Sequence, residues 1–251
     1  MKKLEINGGC VNGANRYHFI LPPVAKGYGN AQIDDYAGSK RADYPWKQGV
    51  EMSVQARFSH AEGELRGTAG FGFWNAPFGD PTVPYPALPQ AVWFFYGSPE
   101  TNLPLAPLNE QGEARSGNGW FAGTLDATTG RALAISPLAP LTVLGNRWRP
   151  FRQRVWPGVQ KRLGMSYQQL AVDMTAWHHY RLRWTAAGCA FWVDEQLVLE
   201  TAQTPRGPLG FVAWLDNQYM CVTPTGRFGW GVLPTAEEQW LETADLRLER
   251  G

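Results

Sequence analysis

Residues 204–219 read Thr-Pro-Arg-Gly-Pro-Leu-Gly-Phe-Val-Ala-Trp-Leu-Asp-Asn-Gln-Tyr, and they predict a strand that follows the Gly207-Pro208 turn. Alternation along a strand places every second side chain on the same face. One face then carries Phe211, Ala213 and Leu215. The opposite face carries Val212, Trp214 and Asp216. The first face is typical of a core, whereas an indole beside a carboxylate is what a sugar-binding cleft requires.

The chain has 251 residues and a formal net charge of +1. This length suits one β domain, which we assign to residues 1–251. Near neutrality argues against nucleic acid as a partner, because a general nucleic-acid binder needs an overall basic field. The 28 glycines and 19 prolines predict many short elements, and the 12 tryptophans suit strands and ligand platforms.

Alternating stretches elsewhere predict further strands. They lie at 17–21, 50–59, 64–74, 90–96, 120–126, 177–184, 190–193, 196–200 and 240–249, and the strands 190–193 and 196–200 flank Asp194-Glu195 as in a hairpin. The side chains of 90–96 are bulky on both faces, so we expect a central strand with a layer on each side. Gly70 and Gly72 stand inside a strand, which predicts that another group approaches its backbone closely. The rest of residues 3–43 is rich in turns.

The segment 131–170 differs from the rest, because it contains no acidic residue. Its apolar residues recur at helical spacing, although two prolines would interrupt a helix. The cations of Arg147–Arg162 cluster here. We expect an insertion that packs an apolar stripe on the body and exposes its arginines. The alternative is a segment that lies on a membrane or binds an anionic partner.

Two stretches resemble the paired strands of concanavalin A-like jelly rolls. Residues 177–184 read Trp-His-His-Tyr-Arg-Leu-Arg-Trp, and residues 191–198 read Phe-Trp-Val-Asp-Glu-Gln-Leu-Val. In that superfamily a W-H-x-Y-x-x-x-W strand leads into a hairpin carrying W-V-D-G, and Glu195 stands here where glycine is usual. Residues 70–75 and 209–217 are similar to strands of the glycoside hydrolase family 16 and laminin-G-like branches. The resemblance implies an all-β, two-sheet antiparallel jelly-roll sandwich with long loops.

The catalytic motif of family 16 is missing from the sequence. Such an enzyme would carry E-x-D-x-x-E on one strand, where alternation places a nucleophile and an acid/base on the cleft face. The remaining possibility is a different pair of carboxylates that meet across the sheet. The candidate catalytic residues are therefore Asp216 together with Glu51 or Glu64.

The concave face of the sheet is the predicted ligand site. Its predicted ligand-binding residues are Trp74, Asn75, Trp93, Tyr96, Trp214, Asp216 and Asn217. The tryptophans would stack on sugar rings, although a chain with 13% aromatic residues must also bury many of them in a core. Asn75 and Asn217 end their strands, where a turn or cap role is the commoner one.

These patterns predict a protein that binds carbohydrate, with or without glycoside cleavage. One alternative is a cleft for an apolar small molecule, and the other is a peripheral module that uses Arg147–Arg162. No metal-ligand spacing and no cofactor motif is present, while a calcium ion held by backbone carbonyls would leave no motif. Three cysteines and the lack of an apolar run after the basic N-terminus predict a cytoplasmic protein. A mature secreted form would read the same.

Overall fold

The computed structural model describes residues 1–78, 83, 85–113 and 115–251. Its strands are β1 (Lys2–Ile6), β2 (Cys10–Asn12), β3 (Arg16–Leu21), β4 (Asn30–Asp34), β5 (Val50–Phe58), β6 (Thr68–Trp74), β7 (Gln90–Gly97), β8 (Gly119–Asp126), β9 (Ser166–Gln169), β10 (His178–Trp184), β11 (Cys189–Val193), β12 (Gln196–Thr201), β13 (Gly210–Asp216), β14 (Gln218–Val222), β15 (Phe228–Val232) and β16 (Gln239–Arg250). The α-helices are α1 (Gly130–Ile135), α2 (Ala139–Gly145) and α3 (Arg149–Arg162). Short 3₁₀ turns span Arg41–Asp43 and Ser136–Leu138.

Two antiparallel sheets of seven strands each make up the body. The first sheet has the order β1-β4-β13-β6-β7-β8-β9, and the second has the order β12-β11-β10-β5-β16-β3-β2. The prediction of an all-β, two-sheet antiparallel jelly-roll sandwich is therefore confirmed. Strand β7 lies between β6 and β8 and is buried along its whole length, as its bulky side chains on both faces predict.

Aromatic side chains from both sheets interlock in the core between them. Phe71 and Phe94 of the first sheet lie 5.2 Å from Tyr180 and 5.4 Å from Phe191 of the second, measured between ring centroids. Trp120 and Phe58 meet in the same way at 5.1 Å. These tilted and edge-on contacts are the arrangements that aromatic rings prefer. The inward face of β13 contributes Phe211, Ala213 and Leu215 to this core, as its alternation predicts.

The N-terminal region contains more strand than its sequence predicts. Strand β1 pairs with β4, and β4 pairs with β13, so these two strands complete one edge of the first sheet, while β2 and β3 complete an edge of the second. The prediction missed β4 because three of its five side chains are polar, yet all five are buried. The hairpin of β14 and β15 was missed too, since its glycines read as turn residues.

The basic segment folds as the insertion that its apolar spacing predicts. Helix α3 accommodates Pro157 in its interior, and Pro150 lies in its first turn, where a missing N–H costs nothing. Trp156 and Gln160 are its buried residues, and Trp148, just before the helix, is exposed. None of the helices in the described part of the chain has both the length and the apolar character needed to cross a membrane.

Candidate functional site

The outer face of the first sheet, which points away from the sandwich core, carries the predicted tryptophans. Gly70 and Gly72 leave a trough along β6 on this face. A Cβ atom at Gly70 would lie 2.9 Å from the Trp214 ring, and one at Gly72 would lie 2.7 Å from Cβ of Trp93. The indoles from the neighbouring strands occupy this trough. The groups that lie close to the two glycines, as predicted, are therefore these indoles and the neighbouring backbone.

Trp74, Trp93 and Trp214 form one aromatic cluster. The planes of Trp74 and Trp214 are 5° apart, with 6.2 Å between ring centroids, and Trp93 lies 6.1 Å from the first and 5.7 Å from the second. Phe95 extends the cluster at 4.9 Å from Trp93. Trp93 and Trp214 are buried, and Trp74 is the half-buried member. Trp74 is therefore the ring that a ligand from solvent reaches first.

Trp214 and Asp216 are joined through Thr68. The indole Nε1 of Trp214 donates to the Thr68 hydroxyl at 2.9 Å, and this hydroxyl donates to the Asp216 carboxylate at 2.7 Å. The carboxylate also accepts the backbone N–H of Gln218 at 3.0 Å and the Tyr28 hydroxyl at 3.4 Å. Asp216 is thus a partnered buried group and not a free acid at the surface.

Burial raises the pKa of Asp216 to about 6. Loss of hydration disfavours the charged carboxylate, whereas the hydrogen bonds from Thr68, Gln218 and Tyr28 favour it and offset part of the effect. A carboxyl group with this pKa changes protonation between pH 5 and 7. The charge on this part of the outer face therefore depends on pH in that range.

A polar strip on β4 lies beside the tryptophans. Asn30 pairs with Asp216 and Gln32 pairs with Trp214 across the β4–β13 ladder. The Tyr36 hydroxyl accepts from Nε1 of Trp74 at 2.8 Å and from Nε2 of Gln32 at 3.4 Å. Sequence reasoning missed this strip. The signal was the period-two spacing of Asn30, Gln32 and Asp34, which indicates one polar face of a strand.

Loops cover part of the outer face. Leu103 and Leu105 pack against the aromatic cluster, as do Met165 and Tyr167 next to and on β9. The side chain of Gln160 on α3 fixes the first of these loops, since its Nε2 lies within 3.3 Å of three successive carbonyl oxygens, those of residues 104, 105 and 106. The basic insertion thus holds in place the loop 103–106, which covers part of the predicted site.

Three predicted ligand-binding residues have structural roles instead. Tyr96 lies in the core between the sheets, because it alternates with Trp93 and Phe95 and so points the other way. Asn75 accepts the N–H of residue 90 and donates to the carbonyl of residue 88. Asn217 holds Gly29, Gly27 and Leu233 through its side-chain amide. Asn75 and Asn217 therefore have the turn or cap role that their positions at strand ends favour.

Neither carboxylate proposed to pair with Asp216 shares its buried environment. Glu51 belongs to β5 of the second sheet and forms an ion pair with Arg181 at 3.6 Å. Glu64 is exposed in the turn before β6, whereas Asp216 is buried at the end of β13. The pairing of Asp216 with Glu51 is therefore wrong, because the two side chains belong to different sheets. Among the described residues no group of three His, Cys, Asp or Glu side chains is close enough to hold a metal ion.

No protein-family model matches the sequence, and no curated protein does. Solved structures similar to this chain include a glycoside hydrolase family protein from Mycobacterium thermorestibile, with 13% identity over 93% of this chain and 76% of that one, and a TM-score of 0.46. A pseudo β-1,3-glucanase of Mycobacterium tuberculosis has 10% identity over 94% and 78%, and a TM-score of 0.44. A β-glucanase of Bacillus licheniformis has 10% identity over 96% and 82%, and a TM-score of 0.43. Such low identities carry no information about activity.

Proposed function

We propose that this protein binds carbohydrate on the outer face of the first sheet and does not cleave it. The observation that carries the proposal is the half-buried Trp74, whose ring plane is parallel to that of the buried Trp214. A partly exposed indole face suits the apolar faces of sugar rings, and polar groups at its margin suit their hydroxyls. The Tyr36 hydroxyl and the Gln32 amide supply such groups beside Trp74.

The spacing of acids argues against hydrolysis. Asp34 on β4 and Asp216 on β13 are the carboxylates of these strands on this face. Asp34 pairs with Val212, and Asp216 lies four residues further along β13 than Val212. At about 3.3 Å per residue the two positions are roughly 13 Å apart. Glycosidases place their two carboxyl groups about 5–10 Å apart. Asp34 is also engaged by the N–H groups of residues 36 and 37.

An apolar small molecule fits the same face less well. Leu103, Leu105, Met165 and Tyr167 already contact the buried part of the aromatic cluster. An apolar ligand would have to displace these side chains, whereas a sugar at the Trp74 margin would not.

A glycan array with neutral and acidic glycans tests the proposal, followed by calorimetric titration of the best-bound glycan. We expect Trp74→Ala to weaken binding about fivefold, because stacking on an aromatic ring is worth on the order of 1 kcal/mol. Trp192→Ala is the matched control, since Trp192 is half-buried on the second sheet. Release of reducing ends from the bound glycan should not occur. Absence of binding across the array, or equal affinity of the Trp74 variant, would refute the proposal.

A further inference from the structure

Two exposed apolar surfaces meet beside the basic insertion. The first comprises the exposed side chains of α2 and the turn after it, and the second is the solvent face of the β14–β15 hairpin. The Asn146 side chain donates to the carbonyl of Pro224 at 2.9 Å, and a Cβ atom at Gly226 would lie 2.5 Å from Val143. The hairpin turn therefore packs directly on the end of α2. We call the combined surface the apolar tip; its members with 61–69% exposure are Leu141, Leu144, Trp148, Phe228 and Trp230.

The hairpin side of the apolar tip results from the alternation of apolar residues along β15. Phe228, Trp230 and Val232 alternate with glycines on β15, so all three point to one side and all three are exposed. Their ladder partners on that side are Val222, Met220 and Gln218. Strand β15 is also an edge strand of its two-stranded sheet. Contiguous apolar side chains on an exposed edge mark an interaction site.

The charges on the insertion and the hairpin have one sign. The sequence has no Asp or Glu between Asp126 and Asp173, and none between Asp216 and Glu237. Both segments carry exposed cations without a carboxylate partner among the described residues; they are Arg131, Arg147, Arg149, Arg154, Lys161, Arg162 and Arg227. The protein as a whole has a net charge of only +1, so this basic field is local.

We infer that the apolar tip docks on an anionic lipid surface, with its leucines and aromatic rings entering the headgroup region. Tryptophan and leucine beside arginine are the side chains that interfacial segments use. A second copy of the chain is a poor occupant, because a two-fold contact would bring the same arginines face to face. An anionic bilayer offers an apolar layer for the leucines and aromatic rings and negative charge for the arginines.

Flotation of the full-length chain with vesicles tests this inference. The vesicles contain phosphatidylcholine alone, or phosphatidylcholine with about 30% phosphatidylserine, at low and at high sodium chloride. We expect association with the anionic vesicles only, and its loss at high salt. Arg147→Gln and Arg227→Gln should each lower the partition coefficient about fivefold, as one surface cation near anionic lipid contributes that much. Trp148→Ala and Trp230→Ala should lower it further at low salt, because each removes a ring that enters the headgroup region.

Matched controls separate the apolar tip from general surface properties. Lys47→Gln removes a cation elsewhere, and Leu197→Ala removes an exposed apolar side chain of the second sheet. Neither should change flotation, and all variants should keep the thermal midpoint of the wild type. Equal association with neutral vesicles, no association, or retention of binding in the arginine and tryptophan variants would overturn the inference. So would a concentration-dependent dimer that the tryptophan variants abolish, since the occupant would then be a second copy.

Discussion

The hydroxyl of Thr68 donates its single proton to the carboxylate of Asp216 across 2.7 Å. The same hydroxyl oxygen accepts the indole N–H of Trp214, so it links the acid and the aromatic ring of β13 from the neighbouring strand β6. Both members of the predicted binding pair thus depend on one residue that the sequence pattern did not single out. The link also keeps a buried carboxylate partnered, which limits the cost of its burial.

Asp216 should make the stability of the protein depend on pH. Burial raises its pKa to about 6, whereas in the unfolded chain the pKa is near 3.9. The folded state therefore binds the proton more tightly. The contribution of Asp216 to the free energy of unfolding is fully present below about pH 4 and is lost as the pH rises through about 6. A shift of about two units corresponds to roughly 3 kcal/mol.

Asp216→Asn removes this dependence, because the amide stays neutral. The difference in unfolding free energy, variant minus wild type, should increase by about 2 kcal/mol between pH 4 and pH 7, because at pH 4 the unfolded carboxyl is already half ionised. Urea unfolding at pH 4, 5, 6 and 7 measures it. Glu64→Gln controls for the loss of a carboxylate at an exposed position. If the difference for Asp216→Asn is constant across this range, Asp216 is not the buried acid described here.

Thr68→Val should destabilise the protein by about 1–3 kcal/mol. The substitution conserves shape but leaves the Trp214 N–H without an acceptor and Asp216 without a donor. The lost hydrogen bond also raises the pKa of Asp216 further, so the pH-dependent loss of stability moves to higher pH. Thr101→Val is the matched control, since the buried Thr101 hydroxyl has no partner among the described residues. That variant should unfold at the same urea concentration as wild type or a higher one, and equal losses in both variants would contradict the role of Thr68.

Period-two patterns made most of the sandwich predictable. Strands such as β5, β7 and β10 alternate strongly, and their limits match the prediction to within one or two residues. The sequence pattern did not predict strand β4, because its outward side chains are polar and are typical of loops. These side chains are nevertheless buried beside Trp214; they are Asn30, Gln32 and Asp34. Local propensity cannot show that a neighbouring strand will bury a polar face.

The candidate site was predictable only in part, for a geometrical reason. Alternation correctly separates Trp214 from the core-facing Phe211, and it separates Trp93 from Tyr96 as well, so Tyr96 could have been excluded from the outer face. The cover over that face comes from residues 103–106, which are held by Gln160, more than 50 residues away along the chain. A long-range contact of this kind leaves no periodic signal in the sequence.

Gly70→Ala should destabilise the protein by about 3 kcal/mol or more. The new Cβ would lie 2.3 Å from the carbonyl oxygen of Phe94 and 2.9 Å from the Trp214 ring, and the backbone of β7 cannot move away without breaking its ladder. Gly229→Ala is the control on β15, because nothing lies within 4 Å of its Cβ position. Thermal unfolding compares the two variants. A midpoint for Gly70→Ala as high as that for Gly229→Ala would show that β6 and β13 do not approach as described.

Glu195→Gly should stabilise the protein by about 1 kcal/mol. Asp194 and Glu195 both have positive φ angles, 48° and 64°, in the two-residue turn between β11 and β12, and this turn type favours glycine at its second position. A non-glycine residue in the left-handed region costs about 1–2 kcal/mol. The Glu195 carboxylate contacts Nδ1 of His179 at 2.9 Å and pairs with Arg181 at 3.6 Å, but these contacts are exposed and stabilise the fold by less than the backbone strain costs.

Glu200→Gly on β12 provides the matched control for this turn. It removes the same exposed side chain from an extended position, so we expect a loss of about 0.5–1 kcal/mol. Urea unfolding of both variants at pH 7 gives opposite signs if backbone strain at residue 195 dominates. A loss of stability in Glu195→Gly would instead mean that the side-chain contacts with His179 and Arg181 outweigh the strain, so that Glu195 stabilises this hairpin more than the glycine usual at that position would.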